Sequence, residues 1–171
     1  MTSDGYIPIE TISGAATSYS FTDIPSTYTD LILRGEADTS AATLYSYTIA
    51  IIFNGDTSST YDTCSFRKKD ADDPASYFST ETGEATFLNI PGGSFNTACF
   101  FECDIYGYSN SARNTFFRSF NGWSGFGQAD KGVAAAYGGQ WRSTAAVTSI
   151  TTNNYSGVFG SGTSITLYGR T

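Results

Sequence analysis

Residues 45–56 read YSYTIAIIFNGD, and their alternation decides the fold class. Tyr45, Tyr47, Ile49, Ile51 and Phe53 fall on one side of an extended chain, while Ser46, Thr48, Ala50 and Asn54 punctuate the other. A repeat of two with β-branched and aromatic residues is the signature of a half-buried strand. Asn54-Gly55 then closes it, because both residues tolerate the positive φ of a type I′ turn. A further apolar run, Tyr61 to Phe66, follows, so the sequence predicts a hairpin around a structural turn.

Working outward, a second alternating run starts at Phe95. Thr97, Cys99, Phe101, Cys103 and Ile105 face one way; Asn96, Ala98, Phe100, Glu102, Asp104 and Tyr106 form the wetter side. Shorter candidates are Tyr6 to Ile12, Ser18 to Thr22, Thr29 to Ala37, Gly83 to Ile90, Asn114 to Asn121, Val147 to Thr152 and Thr163 to Tyr168. In the last of these Ile165 and Leu167 point to the core. No helical repeat competes, so the chain reads as one all-β domain over residues 1–171, a sandwich or barrel. Its 171 residues suffice to bury about 70% of the unfolded surface without a metal or disulfide framework.

Two stretches carry no strand prediction. NGWSGFGQADKGVAAAYGGQW, residues 121–141, reads as a long loop of the kind that forms interfaces. KKDADDP, residues 68–74, reads as a solvated acidic loop.

Composition bounds the function. The net charge is −7, from 16 acidic and 9 basic residues, and a phosphate backbone calls for the opposite sign, so nucleic acid is not an expected partner. The opening MTSDGYIPIE has neither the basic end nor the apolar stretch of a signal peptide, and no run of about 18 apolar residues occurs. Synthesis in a cytosol, with no membrane partner, is the expectation. Cys64, Cys99 and Cys103 are odd in number; four residues along a strand span about 13 Å, too far for a disulfide or a shared zinc. Buried reduced thiols are the reading.

The chain contains no histidine, which removes Ser-His-Asp and Cys-His catalysis and the usual base near neutral pH. The acidic pairs Glu36 with Asp38 and Glu102 with Asp104 have the spacing of about 6.5 to 7 Å that any i, i+2 pair has in a strand, which lies within glycosidase range but selects nothing. Acidic residues on a wet or interface face are the plainer reading. Asp70, Asp72 and Asp73 offer oxygen ligands to calcium, yet no glycine stands where an EF-hand loop needs one and Pro74 interrupts. Catalytic, metal-binding and cofactor-binding residues are therefore assigned to none. Trp123, Tyr137 and Trp141 are the candidate contact aromatics, for a protein interface or for stacking on a glycan.

Four blocks, YSFTDIPSTYTDLILRGEA (19–37), IIFNGDTSSTY (51–61), WRSTAAVTSITTNN (141–154) and FGSGTSITLYG (159–169), resemble in order a pattern of tailed-bacteriophage virion proteins, notably those of marine phages. FNGD and the later SITLYG are its most specific parts, and Arg170 and Thr171 follow where that pattern often closes on an apolar residue. The resemblance implies a jelly-roll-like antiparallel β-sandwich in a non-enzymatic virion structural protein. It would be a capsid decoration (cement) protein binding across major capsid protein subunits, homo-oligomeric and trimeric by expectation. The alternative it leaves open is a tail or fibre component that binds a host surface glycan.

Overall fold

A computed structural model describes residues 5–40, 46–69, 74–93, 97–124, 132–155 and 157–171. The strands run β1 Tyr6–Ser13, β2 Ser18–Phe21, β3 Asp30–Ala37, β4 Ser46–Phe53, β5 Tyr61–Lys69 and β6 Ala75–Thr82. They continue as β7 Ala85–Pro91, β8 Cys99–Tyr106, β9 Thr115–Ser124, β10 Gly132–Trp141, β11 Ile150–Asn154 and β12 Ser164–Arg170. They form an eight-stranded sheet, β1-β12-β3-β8-β9-β10-β5-β6, and a four-stranded sheet, β2-β11-β4-β7. Every pairing is antiparallel. The smaller sheet covers one face of the larger, with β7 lying over β8, β9 and β10. The chain crosses repeatedly between the two sheets, as in a jelly roll, and the core is what the sheets enclose.

The alternating run forms β4 with its odd-numbered side in the core, but it is not half-buried, since Ala50 and Ile52 on the other side are buried as well. Tyr47, Ile49, Ile51 and Phe53 are buried in the core, whereas Tyr45 lies outside the described residues. The turn after it is left-handed at both central positions, Asn54 with φ 53° and Gly55 with φ 66°. It does not make the predicted hairpin, because β4 belongs to the smaller sheet and β5 to the larger; the turn carries the chain over the edge of the sandwich. Asn54 fixes that crossing. Its Nδ2 donates to the Ala146 carbonyl (2.8 Å), and its Oδ1 accepts from the amides of Thr148 (2.8 Å) and Ser149 (3.1 Å). Asn54→Ala should destabilise the protein by about 2 kcal/mol in a urea titration, through the lost bonds and the less favourable positive φ.

Two strands lie where no strand was predicted. β6 is an edge strand with Tyr77 and Phe78 both exposed, so it lacks a buried side to mark it. β10 and the second half of β9 occupy the 121–141 span, correcting its reading as a long loop; residues 125–131 lie outside the described set. Lys68 and Lys69 likewise extend β5, and the Asp70, Asp72 and Asp73 cluster lies outside the described residues.

The last strand is interior to its sheet. β12 pairs with β1 on one side and β3 on the other, and Ile165 and Leu167 are fully buried. Gly160 to Thr163 form the turn into it. The Asp38 amide donates to Thr163 Oγ1 (3.1 Å), and that hydroxyl donates on to the Asp38 carboxylate (2.9 Å). Gly169 has the Tyr28 ring lying directly on it, so a Cβ there would overlap the ring. Arg170 donates to Asp30, and its carbonyl accepts from Thr29 N–H at 2.8 Å.

Candidate functional site: the outer face of the larger sheet

Alternation sends one set of side chains from each strand of the larger sheet inward and the other set outward. Three interior strands and the edge strand β6 have an unusual outward set. Phe100 on β8, Phe116 and Phe120 on β9, Phe66 on β5 and Phe78 on β6 are 67, 45, 57, 57 and 74% exposed. A soluble chain seldom leaves this many aromatic rings together in water, and contiguous apolar patches of this kind mark interaction sites.

Register explains the relief of the face. One cross-strand row runs Glu102, Phe120, Ala136, Phe66 from β8 to β5, and the next runs Phe100, Gly122, Ala134, Lys68. Facing outward, the middle of β10 therefore carries only Ala134, Ala136 and Gly138, with Gly132 and Gln140 at its ends. Phenylalanines stand on both sides of it. The result is a trough of about 500 Å³ lined by Phe66, Phe100, Phe120, Gly122, Ala134 and Ala136.

Charges fringe the apolar centre and are matched in place. Arg34 Nε donates to Glu102 at 2.8 Å, with its guanidinium 4.9 Å from the Tyr6 ring centroid. Arg118 Nε donates to Asp104 at 2.9 Å, and Arg170 donates to Asp30. The arginines are exposed or half-exposed while Asp104 and Asp30 are buried, and the pairs leave this side of the apolar centre polar. That is the anatomy of a protein interface. Two of the pairs also place the suggested acidic dyads: Glu102 and Asp104 share the outer face and each is held by its own arginine. Glu36 faces outward from β3, while Asp38 lies beyond the strand end and is turned onto Thr163. Among the described residues no cluster of His, Cys, Asp and Glu is arranged to hold a metal.

The structure corrects the candidate contact residues. Trp123, Tyr137 and Trp141 all face the core, 7, 5 and 2% exposed, so none offers a platform to a glycan or a partner. The reason is parity: on β9 and β10 they sit in register with inward residues, Trp123 opposite Val133 and Trp141 opposite Thr115. Trp141 packs 5.8 Å from Phe53 between ring centroids and donates its indole N–H to Asp56 at 2.7 Å. The Asp of FNGD is thus a structural acceptor. Hydrogen bonds from Ser58, then Trp141, then Thr60 hold its carboxyl down at about 2. A carboxyl depressed in the folded state stabilises it above the ordinary pKa of 3.8, and that contribution fades as pH falls toward about 2. Asp56→Asn should lower the melting temperature at neutral pH and flatten its fall between pH 4 and 2, read by thermal scans across that range.

The cysteines divide. Cys99 and Cys103 are buried, and burial pushes the Cys99 thiol up to about 12, whereas Cys64 is exposed on the outer face, which corrects the reading of three buried thiols. The aromatic face itself escaped notice because β9 carries aromatics on both sides. Phe116 and Phe120 alternate with Phe117 and Trp123, so no apolar-to-polar contrast sets the two faces apart. Polar residues even point inward there. Ser119 donates to the Phe87 carbonyl, and Asn121 Nδ2 donates to the Asn89 carbonyl at 3.0 Å. No protein-family model, curated protein or solved structure matches the chain.

Proposed function

We propose that this is a non-enzymatic structural protein of a tailed-phage virion, a capsid decoration (cement) protein that works by burying the outer face of its larger sheet against other protein. The observation that carries the reading is the exposed aromatic face, Phe66, Phe78, Phe100, Phe116 and Phe120, flanked on its β12-β3-β8 side by matched ion pairs. The resemblance of the FNGD and SITLYG blocks to virion proteins supports the setting. A ligand that binds the assembled shell and not its separated subunits stabilises the shell by mass action. Binding of that kind needs interface area and no chemistry.

The glycan-binding alternative has lost its stacking residues, since Trp123, Tyr137 and Trp141 are interior. Copy number in purified particles tests the cement reading. Many stoichiometric copies, whose removal lowers the temperature or osmotic shock at which the shell opens, are expected. A few copies confined to the tail tip would contradict it.

A further inference from the structure

We propose that the outer face of the larger sheet binds a second copy of this chain, face to face about a two-fold axis, so that the soluble and shell-binding unit is a dimer. The inference rests on reading that face as a protein interface, and adds its occupant. Three observations favour a second copy.

The first is self-fit. A two-fold axis parallel to the strands and lying over the seam between β9 and β10 carries β9 of one copy onto β10 of the other, β8 onto β5, and β3 onto β6. Rows are kept by this operation. The Phe120 ridge of each copy then enters the trough that Ala134, Ala136 and Gly138 leave in its partner, and the fit is made twice. Two sheets packed this way satisfy ordinary aligned sheet-on-sheet geometry, about 10 Å apart.

The second is charge. Glu36, Phe100, Gly122, Ala134 and Lys68 share one cross-strand row, with Glu36 on β3 at one end and Lys68 on β5 at the other. The same axis sets Lys68 above β8 of the second copy, offset sideways from its Glu36 by one strand spacing, about 4.8 Å, across the gap between the sheets. That opposite-charge pair also forms twice. The matched pairs Arg34 with Glu102 and Arg118 with Asp104 keep the face near neutral although the chain carries −7, so copies are not driven apart there.

The third is area. The exposed parts of the five phenylalanines equal about three whole aromatic side chains, about 600 Å². This approaches the about 800 Å² that each partner contributes to a standard interface. Because each copy uses the same face, the assembly closes at two, in place of the trimer expected from the resemblance.

Sedimentation equilibrium on the full chain tests this, with circular dichroism confirming that each variant is folded. The wild type should sediment at twice the 18.3 kDa chain mass. Phe120→Glu and Ala136→Trp, one removing the ridge and one filling the trough, should each weaken association by about a hundredfold. Lys68→Glu should weaken it by about tenfold, and adding Glu36→Lys should restore it, because only a second copy presents both changes. Cys64, on the same face, should react with a thiol reagent several-fold more slowly in the dimer. A wild type that stays monomeric at sub-millimolar concentration, or a charge swap that fails to restore, overturns the proposal. If that monomer enters particles and Phe120→Glu does not, the face belongs to a shell subunit: the dimer is wrong and the cement reading stands. A dimer that purified particles do not contain leaves the inference intact and overturns the cement reading.

Discussion

A chain ending at Gly162 should fail to fold and should collect in the insoluble fraction on expression. The reason is the position of β12, which has a hydrogen-bonded neighbour on each side. Its loss strips β1 of the strand it pairs with among the described residues and leaves β3 as a raw edge, open to pairing with other chains. It also removes Ile165 and Leu167, both fully buried. Truncating one such residue to alanine typically costs about 2–5 kcal/mol, so losing both together with two hydrogen-bonded ladders is comparable to the whole of the about 5–15 kcal/mol that holds a domain together. Leu167→Ala is the graded version, expected to remain folded with a urea midpoint lowered by a stability loss in that range. Solubility and a cooperative unfolding transition in the Gly162 truncation would refute the assignment of β12 as the strand that completes the sheet.

Phe120→Glu should abolish entry into particles while leaving the melting temperature within a few degrees of wild type. The two effects separate because Phe120 is exposed in the free chain. Replacing it disturbs little that the fold uses, and surface substitutions away from packing features stay within about 0.5 kcal/mol. In an interface the same change removes an apolar ring from the centre and strands a carboxylate without a partner, which typically costs more than about 2 kcal/mol and can exceed about 4 kcal/mol. Phe66→Glu, across the trough in the same row, should behave alike. Tyr155→Ala, which removes an exposed aromatic away from this face without setting a charge beside Glu84, is the control and should enter particles normally. Melting curves and quantitative protein content of purified particles are the two readouts.

How much of this was legible in the sequence depends on contrast between the two sides of a strand. β12 announces itself because apolar and polar residues alternate in SITLYG, and β4 because YTIAIIF is a short β-branched and aromatic run with its largest residues on one parity. β10 does alternate, with Val133, Ala135, Tyr137 and Trp141 inward, but the outward set along its middle is Ala134, Ala136 and Gly138. Small residues opposite apolar ones erase the contrast, and Gly-Gly suggests a turn where the register shows a continuous ladder. β6 is invisible for the opposite reason, because an edge strand exposed on both sides has no buried period. The missed aromatic face follows from the same blindness. Without β10 as a strand, nothing in the sequence says that Phe66 and Phe120 flank one trough, or that Trp123 and Trp141 point the other way.

The hairpin at Asn54-Gly55 shows the limit of local signals. Turn chemistry fixed both backbone angles and said nothing of which sheet the next strand would join. That choice is made by long-range packing, with Tyr61 inside the core receiving the Phe53 amide at 2.8 Å and Trp141 reaching back to Asp56 at 2.7 Å.

A face by which this protein holds on to other protein must become protected when the particle assembles. Hydroxyl-radical footprinting should find Phe66, Phe100 and Phe120 oxidised readily in dilute free chain and strongly protected in the assembled particle, with Tyr155 equally reactive in both. Equal reactivity of the three phenylalanines in the two states would contradict it.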